Sequence, residues 1–387
     1  MALVAALPQR AERIGLEPAL RVEAVTGYEA FLELETTWNR LVEAAGIDHP
    51  FLEHVWVRTW WECFGSGSTL HILIVKAGDE PIAIVPLIFT RVRMWGIAVK
   101  RLGFFHNVHV PRAGLIVARR NPEAYRAIWS YLSSHCSWDV LQLGQLPEGS
   151  DTLAGIGEAA TRDGFPVGVW RSCESPYVPL RTPWVEYFAS LTAKHRANLR
   201  NRFKRLRALG PVELEAITSQ HFLTDALSDG LRLEAAAWKR DAGTAISSDP
   251  NVARFYTLLA QRAETRGWLR LQFLEADAKR IAFDYSLCYK NRLYLLKLGY
   301  DPAYAQYSPS NLLAQLALEA SFERGEVEYD FLGDNLDWKK CWSRQTRPHY
   351  WLYVFSDTLK GRFLRELKFT WIPFLRRFAA PTGRRSS

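Results

Sequence analysis

Cysteine is scarce in this sequence, and a long uncharged apolar run is absent. The chain has only five cysteines in 387 residues, an odd number without a Cys-x-x-Cys pair. This usage is typical of a reduced, cytosolic protein and excludes a disulfide-based scaffold. Charges interrupt every apolar segment before it reaches the roughly 20 residues that span a bilayer, even between Leu359 and Phe378. We therefore expect a cytoplasmic protein that is not integral to a membrane.

Several catalytic motifs are also missing. The sequence contains no Walker loop, no Gly-x-Gly-x-x-Gly, no Gly-x-Ser-x-Gly and no His-Glu-x-x-His, which excludes the enzyme classes that these signatures mark. His106 and His109 stand three residues apart, but no carboxylate or thiol accompanies them at ligand spacing. No metal site is expected.

The sequence does contain enough apolar residues for large cores. Hydrophobic residues make up 48% of the chain and charged residues 23%, so the chain is not predominantly disordered. At roughly 150 residues per domain, two domains are the best expectation. Lys and Arg exceed Asp and Glu by 49 − 41 = 8, which favours anionic partners such as phosphate-bearing cofactors, nucleic acid or an anionic membrane surface.

This net charge is concentrated in two segments. Residues 192–207 carry seven cations and no acid, and residues 359–387 carry eight cations against Glu366 alone. Subtracting these two segments of +7 leaves 8 − 14 = −6 for the rest of the chain. The sequence therefore predicts a mildly acidic body with two basic patches.

The first basic segment is predicted to be a helix. Leu199, Phe203 and Leu206 recur at helical spacing, and Gly210 followed by Pro211 ends the pattern. Most charge runs on helices are simply solvated. Here the cations lack the interleaved Glu residues that pair with them on an ordinary surface helix, which favours an anion-binding role as the alternative.

The two halves of the chain show the same order of predicted elements. In each half, two β-rich runs joined by a short turn are followed by a helix that begins with proline and then by a short strand. The predicted helices are 28–45, 51–64, 122–135, 192–207 and 309–324, and the predicted strands are 70–75, 82–89, 138–143, 269–275, 281–289, 294–298 and 328–332.

Two residue pairings support an internal duplication of one α/β unit. The dipeptide Ile82-Ala83 returns 199 residues later at Ile281-Ala282, and Asp139 and Asp330 are 191 residues apart in similar strands. Hairpins and Ile-Ala pairs are common enough that chance similarity is the alternative. We place the boundary in the proline-rich stretch 175–183, which is predicted to be an extended connector. The expected organisation is a disordered N-terminus at 1–19, a first unit at 20–175, a second unit at 176–357 and a tail at 358–387.

The second unit resembles the GNAT-type acyltransferases. The order strand, hairpin, strand, loop, helix and strand surrounds a Tyr307-Ser308-Pro309 loop in residues 281–332. Two further motifs of the resemblance are Tyr329-Asp330-Phe331-Leu332 and Asp337-Trp338-Lys339-Lys340-Cys341-Trp342.

The first unit is similar to the amino-terminal unit of one branch of that superfamily, the CelD-like cellulose-biosynthesis acetyltransferases, which are related to the FemABX peptidoglycan aminoacyltransferases. The residues that carry this similarity are Phe51 through Trp56, Trp60 through Gly65, and Val85-Pro86-Leu87. The resemblance covers about residues 20–355. It implies an α/β fold of tandem GNAT-like units, each a mixed, mostly antiparallel sheet flanked by helices, with the first unit degenerate or acceptor-binding.

The same resemblance implies transfer of an acetyl or longer acyl group from acyl-CoA to an amine or sugar, on a small-molecule or glycan acceptor, in cell-envelope or exopolysaccharide biosynthesis. Fem-type relatives instead take an aminoacyl group from tRNA. A non-catalytic binding subunit of a polysaccharide assembly at the membrane is a further alternative.

A phosphate-binding loop of the form Gln/Arg-x-x-Gly-x-Gly/Ala holds the CoA pyrophosphate in GNAT folds. Gln306 matches its first position, whereas Pro309 and Asn311 stand where glycines are expected. A side chain or a missing N–H there crowds the approach of a phosphate, so both CoA and tRNA donors stay open. The donor-binding residues that the resemblance and the basic helix imply are Gln306, Ser308, Ser310, Asn311, Arg200 and Lys339.

Three residues are candidate catalytic groups. Asp284 alternates with apolar neighbours and is either a base that faces a cleft or an ordinary polar residue at a strand edge. Asp330 interrupts an apolar strand and is either a site residue or a buried acid paired with Lys339. Tyr307 is either a proton donor to a leaving thiolate or a packing residue. The resemblance implies that Lys339 places a cation near donor phosphate or acceptor carboxylate.

The tail combines the second basic patch with an apolar stripe. Its members are Leu359, Phe363, Leu367, Trp371 and Phe374 or Leu375. A basic amphipathic helix of this kind either lies on an anionic membrane surface, at the inner face of the membrane, or docks on its own domain. Pro373 is expected to kink or end the helix.

Overall fold

The computed structural model describes residues 20–118, 121–217, 223–236 and 246–379. The predicted disordered segment 1–19 lies outside the described residues, as does the end of the tail at 380–387. Within the described ranges, no helix combines the length and the apolar character needed to cross a membrane.

The first half of the chain contains the predicted helices and hairpin, together with strands that the sequence did not indicate. The helix predicted at 28–45 is divided at Leu34, and the helix predicted at 51–64 begins as a 3₁₀ turn over Pro50–Leu52. The helix Pro122–His135 has the predicted bounds, because Asn121 caps its first turn and Pro122 occupies its first position. The elements are β1 (Leu20–Val25), α1 (Tyr28–Glu33), α2 (Glu35–Ala44), α3 (His54–Phe64), β2 (Ser68–Ala77), β3 (Glu80–Met94), β4 (Ile97–Phe104), β5 (Ile116–Val117), α4 (Pro122–His135), β6 (Val140–Pro147), α5 (Asp151–Arg162) and β7 (Val167–Pro179).

The second half repeats this order and adds the C-terminal helices. The predicted basic helix is present at Ala193–Arg207, where the Thr192 side chain accepts a hydrogen bond from the first turn. The strand predicted at 328–332 is shorter than expected and ends at Asp330. The elements are α6 (Trp184–Ser190), α7 (Ala193–Arg207), β8 (Val212–Ile217), α8 (Leu223–Ala236), α9 (Pro250–Glu264), β9 (Leu269–Ala276), β10 (Lys279–Tyr289), β11 (Arg292–Tyr300), α10 (Pro309–Glu323), β12 (Glu328–Asp330), α11 (Asp337–Lys340), β13 (Thr346–Phe355), α12 (Leu359–Glu366) and α13 (Ile372–Ala379).

The strands form a continuous mixed sheet in the order β1-β2-β3-β4-β6-β13-β7-β12-β11-β10-β9-β8, with β5 beside β3. From either end, the order is five strands of one half followed by the last strand of the other half. Two described pairs are parallel, β4 with β6 and β11 with β12, and they occupy equivalent places in the two halves. The predicted tandem α/β units, each with a mixed and mostly antiparallel sheet, are therefore confirmed.

Of the two predicted residue pairings, one joins structurally equivalent positions and the other does not. Ile82 and Ile281 are each the third residue of equivalent strands, β3 and β10. By contrast, Asp139 precedes β6, whereas Asp330 is the last residue of β12, so these two acids are not equivalent. The similar offset of 191 residues reflects the repeated strand and not a repeated carboxylate.

The two halves exchange their last strands. β13 lies between β6 and β7, and β7 lies between β13 and β12. The predicted boundary at 175/176 falls inside β7, next to the point between Pro176 and Tyr177 where this strand changes partner from β13 to β12. The segment predicted to be a connector is thus partly a paired strand, because its extended prolines still allow strand geometry.

The two halves also share one apolar core. Helix α3 of the first half packs on α9 of the second, where Trp56 meets Phe255 edge to face with ring centroids 5.5 Å apart. Phe51 meets Tyr294 of β11 in the same way at 5.4 Å. Separate cores lie under α4 and α5 in the first half and under α7 and α10 in the second. The units are therefore not independent bodies joined by a linker.

A buried ionic network fixes the place where the exchanged strands meet. Asp330, which is fully buried, accepts hydrogen bonds from Arg112 of the first half and from Arg347 of β13, the latter at 2.7 Å. Arg347 also donates to Glu328 at 3.1 Å. A third donor is the backbone N–H of Leu332, at 2.8 Å from the Asp330 carboxylate. These bonds compensate the desolvation of the charges and hold β12 at its end.

Replacement of Arg112 by methionine tests this network. The variant leaves the buried carboxylate with one guanidinium partner fewer, so we expect the free energy of unfolding to fall by about 3 kcal/mol or more. The measurement is urea unfolding followed by circular dichroism. Arg126→Met is the matched control, because its ion pair with Glu123 is more than half exposed and is expected to change the midpoint little. Equal shifts of the two midpoints would contradict the assignment.

Candidate functional site

The candidate site lies where β11 and β12 separate. The two strands pair in parallel only over Arg292–Tyr294 and Glu328–Asp330. Just beyond the last pair, Leu332 and Gly333 adopt left-handed backbone angles, with φ of 49° and 56°, and turn the chain. A cavity of about 460 Å³ lies between the end of β11 and this turn.

The cavity runs along the edge of β11 and not over one face of the sheet. Residues 295–300 all line it, although successive side chains of a strand point to opposite faces. Six consecutive lining residues are therefore possible only where the strand edge itself faces the space. The pairing with β12 ends at Tyr294, so beyond that residue the edge of β11 borders the cavity instead of β12. Backbone N–H and C=O groups of a strand edge can bind an extended ligand.

The start of α10 closes one side of the cavity. Ser308 precedes the helix with φ of 49° and Pro309 takes its first position, which brings Ser308 through Asn311 onto the wall. Ser308 does not cap the helix through its side chain, which makes no capping hydrogen bond, and its backbone is left-handed instead of extended. Asn311 is also engaged, because its side-chain oxygen accepts a hydrogen bond from Trp342 Nε1 at 3.3 Å.

The lining is mainly apolar, with a few charged groups. One wall packs closely on α8, because a Cβ on Gly299 would lie 2.4 Å from Glu234 Cα. The carboxylate of Glu234 accepts a hydrogen bond from the Ile246 N–H at 2.9 Å. Lys297 and Lys339 supply the cations. The apolar lining residues include Leu295, Leu296, Leu298, Ala305, Phe331, Leu336 and Trp338.

Lys339 is the buried cation of the site. Its side chain is 7% exposed, and Nζ donates a hydrogen bond to the carbonyl oxygen of Leu332 at 2.5 Å. Burial lowers the pKa of Lys339 to about 8, although the nearby Asp330 and Asp334 act in the opposite direction. The ammonium is thus poorly solvated and close to the turn that ends β12. Such a group can interact strongly with a carbonyl oxygen or an anion that enters the cavity.

The structure brings four of the predicted donor-binding residues together. Ser308, Ser310, Asn311 and Lys339 come from two separate segments and line the same cavity. Gln306 and Tyr307 lie in the 3₁₀ helix that precedes this wall, but they do not line the cavity. Both residues contact Arg205 of α7 instead.

Arg205 joins α7 to the start of the site. Its Nη2 donates to Gln306 Oε1 at 3.2 Å, and its guanidinium carbon lies 5.2 Å from the centroid of the Tyr307 ring. The predicted residue Arg200 lies elsewhere, in a groove of about 640 Å³ between α7 and α10, together with Lys204 and Arg207. The structure therefore places Arg200 near the candidate site but not in its cavity.

The cations of α7 have an unusual environment. In the described part of the chain, none of its seven Lys and Arg side chains forms an ion pair with a carboxylate, whereas salt bridges are frequent over the rest of the surface. Arg196 donates to backbone carbonyl oxygens of Ala189 and Leu191. Most of the positive charge of this helix is therefore not neutralised.

Asp284 lies outside the cavity. It is 1% exposed, on the central strand β10, and accepts hydrogen bonds from Ser286 and from Tyr329, the latter at 3.2 Å. Burial raises the pKa of Asp284 to about 7. The alternative of a polar residue at a strand edge does not apply, because β10 is paired on both sides. Its predicted role as a base stays a prediction, without access from the described cavity.

Asp330 is a positioning residue in this geometry. The predicted partner was Lys339, but the carboxylate is bonded to Arg112, Arg347 and the Leu332 N–H. Lys339 donates its hydrogen bond to the Leu332 carbonyl oxygen, which belongs to the same turn. The prediction of a buried acid holds, while its partner differs because an arginine distant in sequence is brought in by the fold.

Several lining residues were not predicted from the sequence. Glu234 comes from a helix far from the motif, and no local pattern marks it. Leu336 lies just before the quoted 337–342 motif and Trp338 inside it, so that motif was the available signal. Within the described ranges, no three His, Cys, Asp or Glu side chains come together as a metal site.

The equivalent place in the first unit is filled. The parallel pairing of β4 with β6 ends at Gly103 and Gln142. Phe104 and Phe105 follow directly and pack with residues of α3 around a remaining cavity of only about 10 Å³. Large aromatic side chains thus occupy the space that is open beside β11.

A family comparison finds a match within the second unit. Residues 193–340, which run from α7 to α11 and include the cavity, match the family described as "Acetyltransferase (GNAT) domain". This part of the chain is therefore similar to GNAT domains, in agreement with the resemblance seen in the sequence. A search of the curated proteins found no matching sequence.

Comparison with solved structures extends the likeness to both units. The crystal structure of FemX is similar with a TM-score of 0.59 at 12% identity, over 90% of this chain and 99% of FemX. The C-terminal domain of an Agrobacterium fabrum protein described as a lysylphosphatidylglycerol synthetase gives a TM-score of 0.51 at 12% identity, over 87% of this chain and 96% of that domain. A conserved protein of unknown function from Bacteroides thetaiotaomicron VPI-5482 gives 0.52 at 10% identity, over 87% and 100%. The TM-scores show a shared fold, and at these low identities the likeness extends to the fold alone.

The titration of Lys339 can be tested through stability. Its ordinary pKa is 10.5 and its folded pKa is about 8, so between these pH values the unfolded chain holds a proton that the folded protein has released. The wild-type protein should therefore gain stability relative to Lys339→Met as the pH rises from 8 to 10.5, by on the order of 3 kcal/mol. The measurement is urea unfolding at several pH values.

Lys340→Met is the control for this titration. Lys340 is the neighbouring residue, and its exposed side chain pairs with Asp337. Its variant should follow the wild-type pH dependence. Parallel curves for wild type and Lys339→Met over this range would show that Lys339 is not perturbed.

Proposed function

We propose that the protein is an N-acyltransferase that takes an acyl group from a phosphate-bearing carrier and transfers it in the cavity beside β11. The observation that carries this proposal is the edge of β11 at 295–300, which borders a mainly apolar cavity next to the start of α10 instead of a second strand. An exposed edge can bind an extended arm that contains amides, in the way that a strand is added to a sheet. The GNAT match of residues 193–340 supports the reaction class.

Acyl-CoA is the first candidate donor. Its pantetheine arm carries amides that suit the edge of β11, and the leucine and aromatic lining suits an acyl chain. The phosphates would then lie outward, towards the N-terminus of α10 and the cations of α7. The helix start is less open than a glycine loop, because Pro309 has no N–H and the Asn311 side chain is bound to Trp342.

In the reaction, the acceptor nitrogen attacks the thioester carbonyl, the C–N bond forms and the C–S bond breaks. One proton passes from the amine to the departing sulfur. We assign to Lys339 the contact with the carbonyl oxygen, where negative charge develops. With a pKa of about 8, Lys339 is mostly protonated at neutral pH, so the ammonium is available for this contact. Tyr307 stays a predicted proton donor, although it contacts Arg205 and does not line the cavity. Asp330 acts by holding the turn at Leu332.

Aminoacyl-tRNA is the second candidate donor, favoured by the surface of α7. Seven cations without an ion pair lie along a helix of 15 residues, which is about 22 Å long. A row of cations of this length exceeds what the few phosphates of CoA require and suits a nucleic-acid backbone.

The acceptor in either case is expected to be an amine or sugar on a small molecule or glycan.

Titration calorimetry with the full chain separates these donors. We expect acetyl-CoA or a longer acyl-CoA to bind with micromolar affinity and one site per chain. If no acyl-CoA binds to the folded protein, the CoA version is wrong. Binding of charged tRNA with a steep salt dependence would then establish the second donor.

Neutralisation of α7 tests the proposed carrier site. The double variant Arg200→Gln, Lys204→Gln removes two charges from the groove beside α10, so the dissociation constant of the donor should rise about tenfold. If the donor is tRNA, the slope of log K against log salt should also fall by about 2. The matched control is Arg40→Gln, Arg126→Gln, which removes two exposed arginines of the first unit. Equal affinities of the two double variants would exclude α7 as the carrier site.

A further inference from the structure

The C-terminal helix presents its predicted apolar stripe to the outside. Helices α12 and α13 are joined by one π-helical stretch, Leu367–Trp371, so the helical path continues to Ala379. The sequence predicted that Pro373 would kink or end the helix. The helix does not end there, because the wider π turn just before it accommodates the missing N–H. Leu359 is 90% exposed and Phe363, Trp371, Phe374 and Leu375 are exposed as well, whereas Leu367 is half-buried.

The opposite side of the same helix is docked on the sheet. Leu364 is fully buried, and Phe369 packs against Tyr353 and Phe355 of β13. The contact is close, since a Cβ on Gly168 would lie 2.3 Å from the Phe369 ring. The sequence left two alternatives for the helix, a membrane surface or its own domain. In the structure, one side of the helix is docked on its own domain, and the apolar stripe on the other side is exposed.

Two tryptophans from distant segments extend this exposed surface. Lys368 lies 5.9 Å from the ring centroid of Trp95, at the tip of the β3–β4 hairpin, and 4.6 Å from that of Trp170 on β7. Both indoles are exposed by 44% or more. We call the combined surface the tail face. It contains seven of the thirteen large apolar side chains that are strongly exposed in the described structure, namely Trp95, Trp170, Leu359, Phe363, Trp371, Phe374 and Leu375.

Cations without ion-pair partners lie on the hairpin beside the tail face. Residues 81–122, which include this hairpin, contain no acid, and the tail at 359–387 carries eight cations against one acid. Within the described residues, Arg91, Arg93 and Lys100 of the hairpin form no ion pair. The tail cations Lys360, Arg362 and Arg365 pair with Asp139, Asp357 and Glu366.

We infer that the tail face binds the surface of an anionic phospholipid bilayer, with α12 and α13 lying in the plane of the interface. The exposed aromatic and leucine side chains would enter the headgroup region, where tryptophan is favoured. The surrounding Lys and Arg attract anionic lipids, whereas a second copy of the same basic surface would be repelled. This function is additional to acyl transfer and does not depend on it.

Vesicle co-sedimentation of the full chain tests the inference. Vesicles of phosphatidylcholine with one third phosphatidylglycerol should bind the protein at least tenfold more tightly than phosphatidylcholine alone, and higher salt should weaken the binding. The double variant Phe363→Ser, Trp371→Ser should lose tenfold or more of this affinity. Trp95→Ser, at the hairpin tip, should also weaken vesicle binding, because the tail face includes this hairpin as well as the tail.

The matched control is Val185→Ser, Leu209→Ser, which changes two exposed apolar residues away from the tail face and should bind as wild type. Thermal unfolding confirms that each variant is folded. Equal binding by the two double variants, or no preference for anionic vesicles, would overturn the inference. A concentration-dependent dimer that Phe363→Ser, Trp371→Ser abolishes, without vesicle binding by wild type, would identify a second copy as the occupant and equally overturn it.

Discussion

The carboxylate of Asp330 is the contact on which the rest of this structure depends. It joins a loop of the first half, through Arg112, to a strand of the second half, through Arg347, at the point where the two halves exchange strands. Because the carboxylate is fully buried, it is stable only while its charged partners are in place. The same carboxylate accepts the Leu332 N–H, which fixes the left-handed turn after β12. The exchange of strands and the opening of the cavity therefore share one ionic centre.

This arrangement links the site to the fold without placing the network inside the cavity. The turn at Leu332 directs the chain away from β11, so that the edge at 295–300 borders the cavity instead of β12, and it supplies the carbonyl oxygen that holds Lys339. Lys339 and Asp330 are both buried next to this turn. In the first unit, Phe104 and Phe105 fill the equivalent gap. The gap between the two parallel strands is thus open in the second unit and packed with side chains in the first, although both units have the same strand order.

The sequence predicted the local elements well where a local cause exists. Proline at the first helical position placed α4 and α10, and the spacing of Leu199, Phe203 and Leu206 placed α7. Strand β7 was missed, because its partners β12 and β13 come from the other half of the chain. The sequence also did not predict β1, β4, β5, β8 and β13, although β4 forms a local hairpin with β3. Ser308, Ser310, Asn311 and Lys339, which belong to motifs, line one cavity, and their donor-binding role stays a prediction. Arg200 and Asp284 do not lie on its wall, because helix faces and burial depend on neighbours distant in sequence.

By itself, the sequence determined the duplication of the α/β unit, the basic character of α7 and the amphipathic tail, since each is a property of residues close together in the chain. Only the tertiary structure decided the partner of Asp330, the strand exchange, the cavity at the edge of β11 and which side of the tail is docked. These outcomes depend on pairing between segments up to 218 residues apart and on the desolvation of charges in the assembled sheet. No local pattern of residue types encodes either of them.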